Sequence, residues 1–284
     1  TQYAKHVETI ETHVALRDLL CTCQKLDQKA FFMAIIVPTN KSVEKFKGLH
    51  LYHGGISNCS MRVRMTLIEK GLNWESHHLD LKKKENISNS YFGINPNGLV
   101  PTLVDNGVVH IESNEIIDYL DHTYAKPSLR SGDEIELKSW LHLAASIHVP
   151  ACKPYVYATK MAPKLKKTAE EQAKYNILQK NEELKNFHAK HAGDRDFSTS
   201  DLDKATAILD ACFFKLEKTL EGRAWIMGDH YSLADISWIP LHFVLRGCGY
   251  PFTDYSNIQR WAAAFAKKDS FREGVLKWCP DFAE

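Results

Sequence analysis

Leu49-His50-Leu51-Tyr52-His53-Gly54-Gly55-Ile56-Ser57-Asn58-Cys59-Ser60 is the stretch that decides the fold. Its first five residues read as a short strand, and Gly54-Gly55 breaks it. Ser57 and Asn58 are good N-cap residues for a helix that Gly71 ends, because their short polar side chains accept otherwise unpaired backbone N–H groups. Downstream, Trp74 to Leu81 is a second strand candidate, and the polar stretch from Lys82 to Tyr91 has room for a short helix before Asn95-Pro96-Asn97-Gly98 stops it. An Asn106-Gly107 turn between Val100-Pro101-Thr102-Leu103-Val104 and Val108-Val109-His110-Ile111 predicts a hairpin. Ile116, Ile117 and Leu120 then recur at helical spacing up to Tyr124, which completes the order β-α-β-α-β-β-α.

After Lys126-Pro127-Ser128 the pattern turns helical throughout. Leu202, Ala205, Ile208, Leu209, Cys212, Phe213, Leu216 and Leu220 fall on one helix face between Asp201 and Leu220. Ser232-Leu233-Ala234-Asp235 has the form of a capping box. The division expected is an extension over residues 1–48, an α/β domain over 49–125, a linker over 126–130 and an all-helical domain over 131–280. The extension holds a possible helix from Val7 to Gln24, and its acidic residues do not fit a transit peptide.

With 36 basic and 35 acidic residues and a net charge of +1, no global field points to nucleic acid or anionic lipid. The apolar run from Ala30 to Val37 falls far short of the ~18–20 residues that a membrane span needs. Seven scattered cysteines in a chain of 284 residues suggest reduced thiols and a cytoplasmic setting. Cys21 and Cys23 form a C-x-C pair with no answering pair, so no metal is expected.

A helix beginning at Ser57 aims free N–H groups and the positive end of its dipole at one point, which suits an anion. If the anion is a thiolate, lowering a thiol pKa from ~8.5 by ~2 units takes roughly 2.7 kcal/mol, within reach of a hydroxyl hydrogen bond and helix-end amides. Ser57 is equally well read as a cap alone. Pro101 is either an edge-strand proline or a cis residue that exposes the Val100 backbone for pairing with an extended peptide. Glu112 and Ser113 stand where hairpin meets helix, placed for a ligand amine and carboxylate, and Ser113 also reads as a helix cap.

Taken together, Ser57, Val100-Pro101 and Glu112-Ser113 resemble the glutathione-binding domain of the cytosolic glutathione transferases. Asn95-Pro96-Asn97-Gly98-Leu99-Val100-Pro101 is similar to that family's N-P-x-G-x-V-P segment. Glu112-Ser113-Asn114-Glu115-Ile116-Ile117-Asp118-Tyr119-Leu120 is similar to its E-S-x-x-I-x-x-Y-L helix start. The resemblance implies an α/β thioredoxin-like N-terminal domain followed by an all-α helical domain, with glutathione as cosubstrate and a homodimer as assembly. It further implies that Glu112 and Ser113 hold the carboxylate and amine of the tripeptide, that Val100 pairs with its cysteinyl backbone, that Asn58 lines its site, and that Ser57 stabilises its thiolate.

Ser57-Asn58-Cys59-Ser60-Met61-Arg62-Val63-Arg64 is similar to the S-x-C-S-x-(R/K)-x-R motif of zeta-class maleylacetoacetate isomerases and tetrachlorohydroquinone reductive dehalogenases. Asn58 replaces the second serine usual in zeta enzymes, and the insertion from Met161 to Gly193 resembles the elongated helical domain of bacterial β-etherases. Cys59 is either a reactive thiol in the first helical turn or a small packing residue. His148, Cys152, Tyr155 and Tyr157 are placed by the resemblance on the first helix of the second domain, facing the sulfur, where an aromatic wall suits a hydrophobic or phenolic electrophile. Arg62 and Arg64 are expected at the surface or in structural ion pairs. A non-catalytic binding module and a monothiol thioltransferase acting through Cys59 are the alternatives.

Overall fold

A computed structural model describes residues 34–159, 166–192 and 195–279. The helix read from Val7 to Gln24, together with Cys21 and Cys23, lies outside the described residues. The strand read at the opening stretch forms as β2 (Leu49–His53), and β3 (Trp74–His78) runs parallel to it, with Leu49 opposite Trp74 and His53 opposite His78. The hairpin strands β4 (Thr102–Asp105) and β5 (Val108–His110) are antiparallel, and Asn106 and Gly107 both take positive φ, as a tight turn matched to strand twist requires.

The segment read as an extension contributes to the sheet. Ile35–Ile36 forms β1, antiparallel to β5, so the order is β1-β5-β4-β2-β3. Val43 behind it is fully buried, and the Asn40 backbone N–H donates to the Gly93 carbonyl. A boundary at residue 49 is therefore too late: a two-residue strand carries no alternation to read.

The α/β half is layered by simple alternation. Leu49, Leu51 and Leu103 face α1 (Asn58–Glu69) and α3 (Ser113–Thr123) in the main core, while Val104, Val109 and Tyr91 form a smaller core on the other face. The short helix expected in the stretch from Lys82 to Tyr91 forms at its end as α2 (Asn89–Phe92), capped by Ser88 and preceded by a run of turns.

The helical half comprises α4 (Glu134–Ser146), α5 (Lys153–Ala158), α6 (Ala169–Leu178), α7 (Glu182–Ala189), α8 (Thr199–Thr219), α9 (Leu233–Gly247), α10 (Ser256–Phe265) and α11 (Asp269–Gly274). Both bonds of the Ser232/Asp235 capping box form, and α8 buries Ala205, Leu209, Cys212, Phe213 and Leu216 as its face predicts. Among the described residues no helix is long and apolar enough to cross a membrane.

Between α4 and α5 the chain widens into a π-type turn over His148–Cys152. Pro150 has no N–H with which to continue a regular helix, and the Cys152 N–H reaches back five residues to the Ile147 carbonyl. His148, Cys152, Tyr155 and Tyr157 thus sit on this turn and on α5, which carry on the helical path of α4.

Candidate functional site

The loop that presents Ser57 is tied down from both ends of the chain. Arg64 donates to the carbonyls of Gly54 (3.0 Å), Gly55 (2.9 Å) and, 210 residues on, Gly274 (2.7 Å). The Cys279 thiol lies 3.1 Å from the Gly55 carbonyl, and a Cβ on Gly55 would come within 2.6 Å of the Trp278 carbonyl oxygen. Only glycine fits that approach. Arg64 and Arg62 are fully buried, contrary to the surface or ion-pair roles expected of them, and both spend their donors mainly on backbone carbonyls.

Ser57 caps α1, its Oγ accepting the Ser60 N–H at 3.2 Å. That contact uses a lone pair and leaves the hydroxyl proton to donate elsewhere. Ser57 lines a cavity of about 530 Å³ between the two halves of the molecule, shared with Val100, Pro101, Glu112, Ser113, Asn58 and Cys59. Residues far apart in sequence are thus brought to one space.

The Val100-Pro101 peptide is cis. The loop before it is held by Tyr91 and Asn95, whose side chains both donate to the Leu99 carbonyl, and by Gln179, which donates to the Asn97 carbonyl. The peptide groups of Val100 make no hydrogen bond among the described residues. Glu112 has φ +63°, an uncommon left-handed conformation for a non-glycine residue, and serves as the N-cap of α3 without a side-chain bond. Ser113 is therefore not the cap. Its Oγ accepts from Arg62 Nη1 at 3.1 Å. Although the Glu112 side chain opens to the cavity, burial and then the neighbouring Cys59 raise its pKa, against His148 and Lys153.

Cys59 is half-buried in the cavity wall, with Arg62 Nη1 at 3.9 Å and His148 Nε2 at 3.8 Å from its sulfur. The contacts of Asn58 fix the tautomer of that histidine. Asn58 Oδ1 accepts the Cys59 N–H at 2.8 Å, so its amide nitrogen is the group that faces His148 Nδ1 at 3.5 Å and the Cys152 thiol at 3.6 Å. Nδ1 then accepts, and Nε2 carries the proton toward the Cys59 sulfur. Burial, then Lys153 and Arg62, hold the His148 pKa well below its usual range, so this imidazole is neutral. The group suits donation to a thiolate better than removal of a proton. Cys152 is buried and its thiol is pushed up to about 12 by burial, which leaves it inert.

The wall expected to face an electrophile departs from the reading in one respect. Tyr155 packs edge-on against Tyr250 at 5.6 Å and is not part of the wall, whereas Tyr157 is. The far wall holds two residues that sequence reasoning missed. The Lys153 ammonium makes no hydrogen bond among the described residues and lies 5.2 Å from the centre of the Phe187 ring, its pKa lowered by burial. Lys167 sits 2.9 Å from His188 Nδ1 and over the Tyr175 ring, lowered to about 7 by burial and then by Lys153 and Lys84. Neither Lys153 nor Lys167, the latter in the long insertion, carries a sequence signal that separates it from a surface residue.

Two family models match the chain in order: the glutathione S-transferase N-terminal domain over residues 56–123 and the C-terminal domain over 148–269. Glutathione S-transferase hmp2 of Hypomyces subiculosus is 27% identical over 227 residues, covering 78% of this chain and 95% of that protein. A zeta-class glutathione S-transferase of Euphorbia esula is 27% identical, covering 82% and 92%. The crystal structure of the β-etherase LigF from Sphingobium superposes with a TM-score of 0.70 at 25% identity, covering 80% of this chain and 98% of that one.

Proposed function

This chain belongs to the glutathione transferase superfamily, and from that premise we propose that it binds glutathione in the cavity and directs the thiolate, stabilised by Ser57, at a hydrophobic aromatic or phenolic electrophile. The observation that carries the reading is the convergence of Ser57, Val100-Pro101 and Glu112-Ser113 on one cavity. In this account the tripeptide adds as an extended strand to Val100, its amine meets Glu112, and its carboxylate meets Ser113 with the first turn of α3. The Ser57 hydroxyl donates to the sulfur while Ser60 holds its oxygen.

The thiolate attacks carbon with its electron pair, and the bond to the leaving group breaks with its pair going to that group. Val149, Val156 and Tyr157 supply the apolar wall for a ring. Lys153 is placed to meet negative charge on a departing oxygen, as aryl-ether cleavage would generate. Likeness to a β-etherase makes that reaction the first to try, ahead of simple conjugation or dehalogenation. A homodimer is part of the proposal.

Retention on immobilised glutathione and turnover of an aryl electrophile test it. Ser57→Ala is expected to cut kcat/KM by about 10–100-fold, the worth of one hydrogen bond to a charged group. Unchanged turnover would remove Ser57 from the chemistry. The placement of His148 and Arg62 around Cys59 favours a second reading: the Cys59 thiolate attacks the glutathionyl sulfur of a substrate mixed disulfide, the S–S bond breaks with the substrate leaving as its thiol, and a second glutathione thiolate then frees Cys59 as glutathione disulfide forms.

A further inference from the structure

We propose that His50, Glu75 and His77 form a three-ligand site for a divalent transition-metal ion of the zinc type, on the sheet face turned away from α1. The parallel register sets His50 opposite Glu75 and Tyr52 opposite His77. Side chains alternate along a strand, so these four share one face, whereas Leu49, Leu51 and His53 occupy the other. The sheet thereby delivers two ligands two residues apart on edge strand β3 and one from its neighbour β2. None of the three lines the large cavity.

Geometry fits the ion. His50 Nδ1 lies 3.0 Å from His77 Nε2 and 3.7 Å from a Glu75 carboxylate oxygen, and all three ligand atoms lie within 4.8 Å of one another. Zinc–nitrogen and zinc–oxygen bonds near 2.1 Å in a tetrahedron place neighbouring ligand atoms about 3.4 Å apart, between those two spacings. His50 Nε2 faces the Lys47 carbonyl at 3.0 Å, and a carbonyl can only accept, so Nε2 holds the proton and Nδ1 offers a lone pair. Such outer hydrogen bonds are what orient metal-binding histidines.

Ring packing keeps the donors in place: Phe46 stacks on His50 at 4.2 Å and Tyr52 on His77 at 4.4 Å. The Glu75 side chain is 68% exposed, so an ion enters from solvent, meets a counter-charge, and keeps water at the fourth position. Two imidazoles and a carboxylate suit zinc, nickel or copper better than calcium or magnesium. The cysteine spacing that argues against zinc bears on other residues.

The test is titration of the chelator-treated full chain with zinc by calorimetry and with cobalt by visible spectroscopy. One equivalent is expected, with a cobalt spectrum lacking a sulfur-to-metal charge-transfer band. His77→Gln should weaken binding more than about 100-fold, beyond the 10–100-fold cost of losing an outer partner, and the exposed Glu75→Gln by at least about 10-fold. Both variants should still bind immobilised glutathione, which reports their folding separately. Absence of binding to the wild type, a spectrum dominated by thiolate ligation, or undiminished affinity in Glu75→Gln would overturn the site.

Discussion

The Ser57 oxygen caps α1, which leaves the hydroxyl proton for the ligand role proposed for it. Its cap role is legible in sequence because it depends on local chemistry, whereas its place in the cavity depends on residues more than forty positions away. Glu112 gives a pH prediction. Its pKa is raised, so at mildly acidic pH part of the population is a neutral acid that cannot pair with an ammonium. Glutathione affinity should therefore rise as pH increases through that raised value and level off above it. Glu112→Gln should bind glutathione about 10-fold more weakly and lose this pH dependence, measured by calorimetry. A wild-type affinity that is flat across mildly acidic pH contradicts the role. For Cys59, thioltransferase activity on a glutathionylated peptide should fall to background in Cys59→Ser, and the mixed disulfide should vanish from the mass spectrum of the intact protein. Full activity in that variant dismisses the covalent reading.

Elements with strong local chemistry are readable: the strand at Leu49–His53, the capped start of α1, the Asn106-Gly107 turn and the Ser232/Asp235 box. Elements defined by partners are not. β1 is two residues long and exists because β5 offers it an edge. The π-type turn contains Pro150, which has no N–H for a regular helix, and it sets the positions of His148 and Cys152. Asp235 shows what a readable element is worth. Its fully buried carboxylate accepts from Ser232 N–H (2.9 Å), Ile226 N–H (2.9 Å) and Trp261 Nε1 (2.8 Å), and burial still pushes its pKa up to about 6. Asp235→Ala strands several buried donors, each costing about 1–3 kcal/mol. At about 2–4 °C per kcal/mol, the melting temperature should drop by roughly 10 °C. A drop under about 2 °C by circular dichroism would mean that the box is not structural.

The whole molecule builds the cavity from both halves, and the ties between them span great sequence distances. Arg62 links α1 to the Ser237 carbonyl, 175 residues on, and Arg64 reaches the Gly274 carbonyl. Neither arginine looks different from a surface residue in the sequence, because only the three-dimensional fold places a carbonyl beside each. The same holds for Lys153 and Lys167 on the far wall. Likeness to glutathione transferases fixes the general chemistry, and the cavity wall frames the choice of electrophile. Ser57 as thiolate stabiliser is the claim on which the rest depends. The most direct test is the pKa of the bound glutathione thiol, followed by thiolate ultraviolet absorbance of the complex against the free protein. The account predicts a value about 2 units below the ~8.5 of an ordinary thiol in the wild type, returning most of the way in Ser57→Ala. An unshifted pKa in the wild type, or a lowered one that survives loss of the hydroxyl, would contradict it.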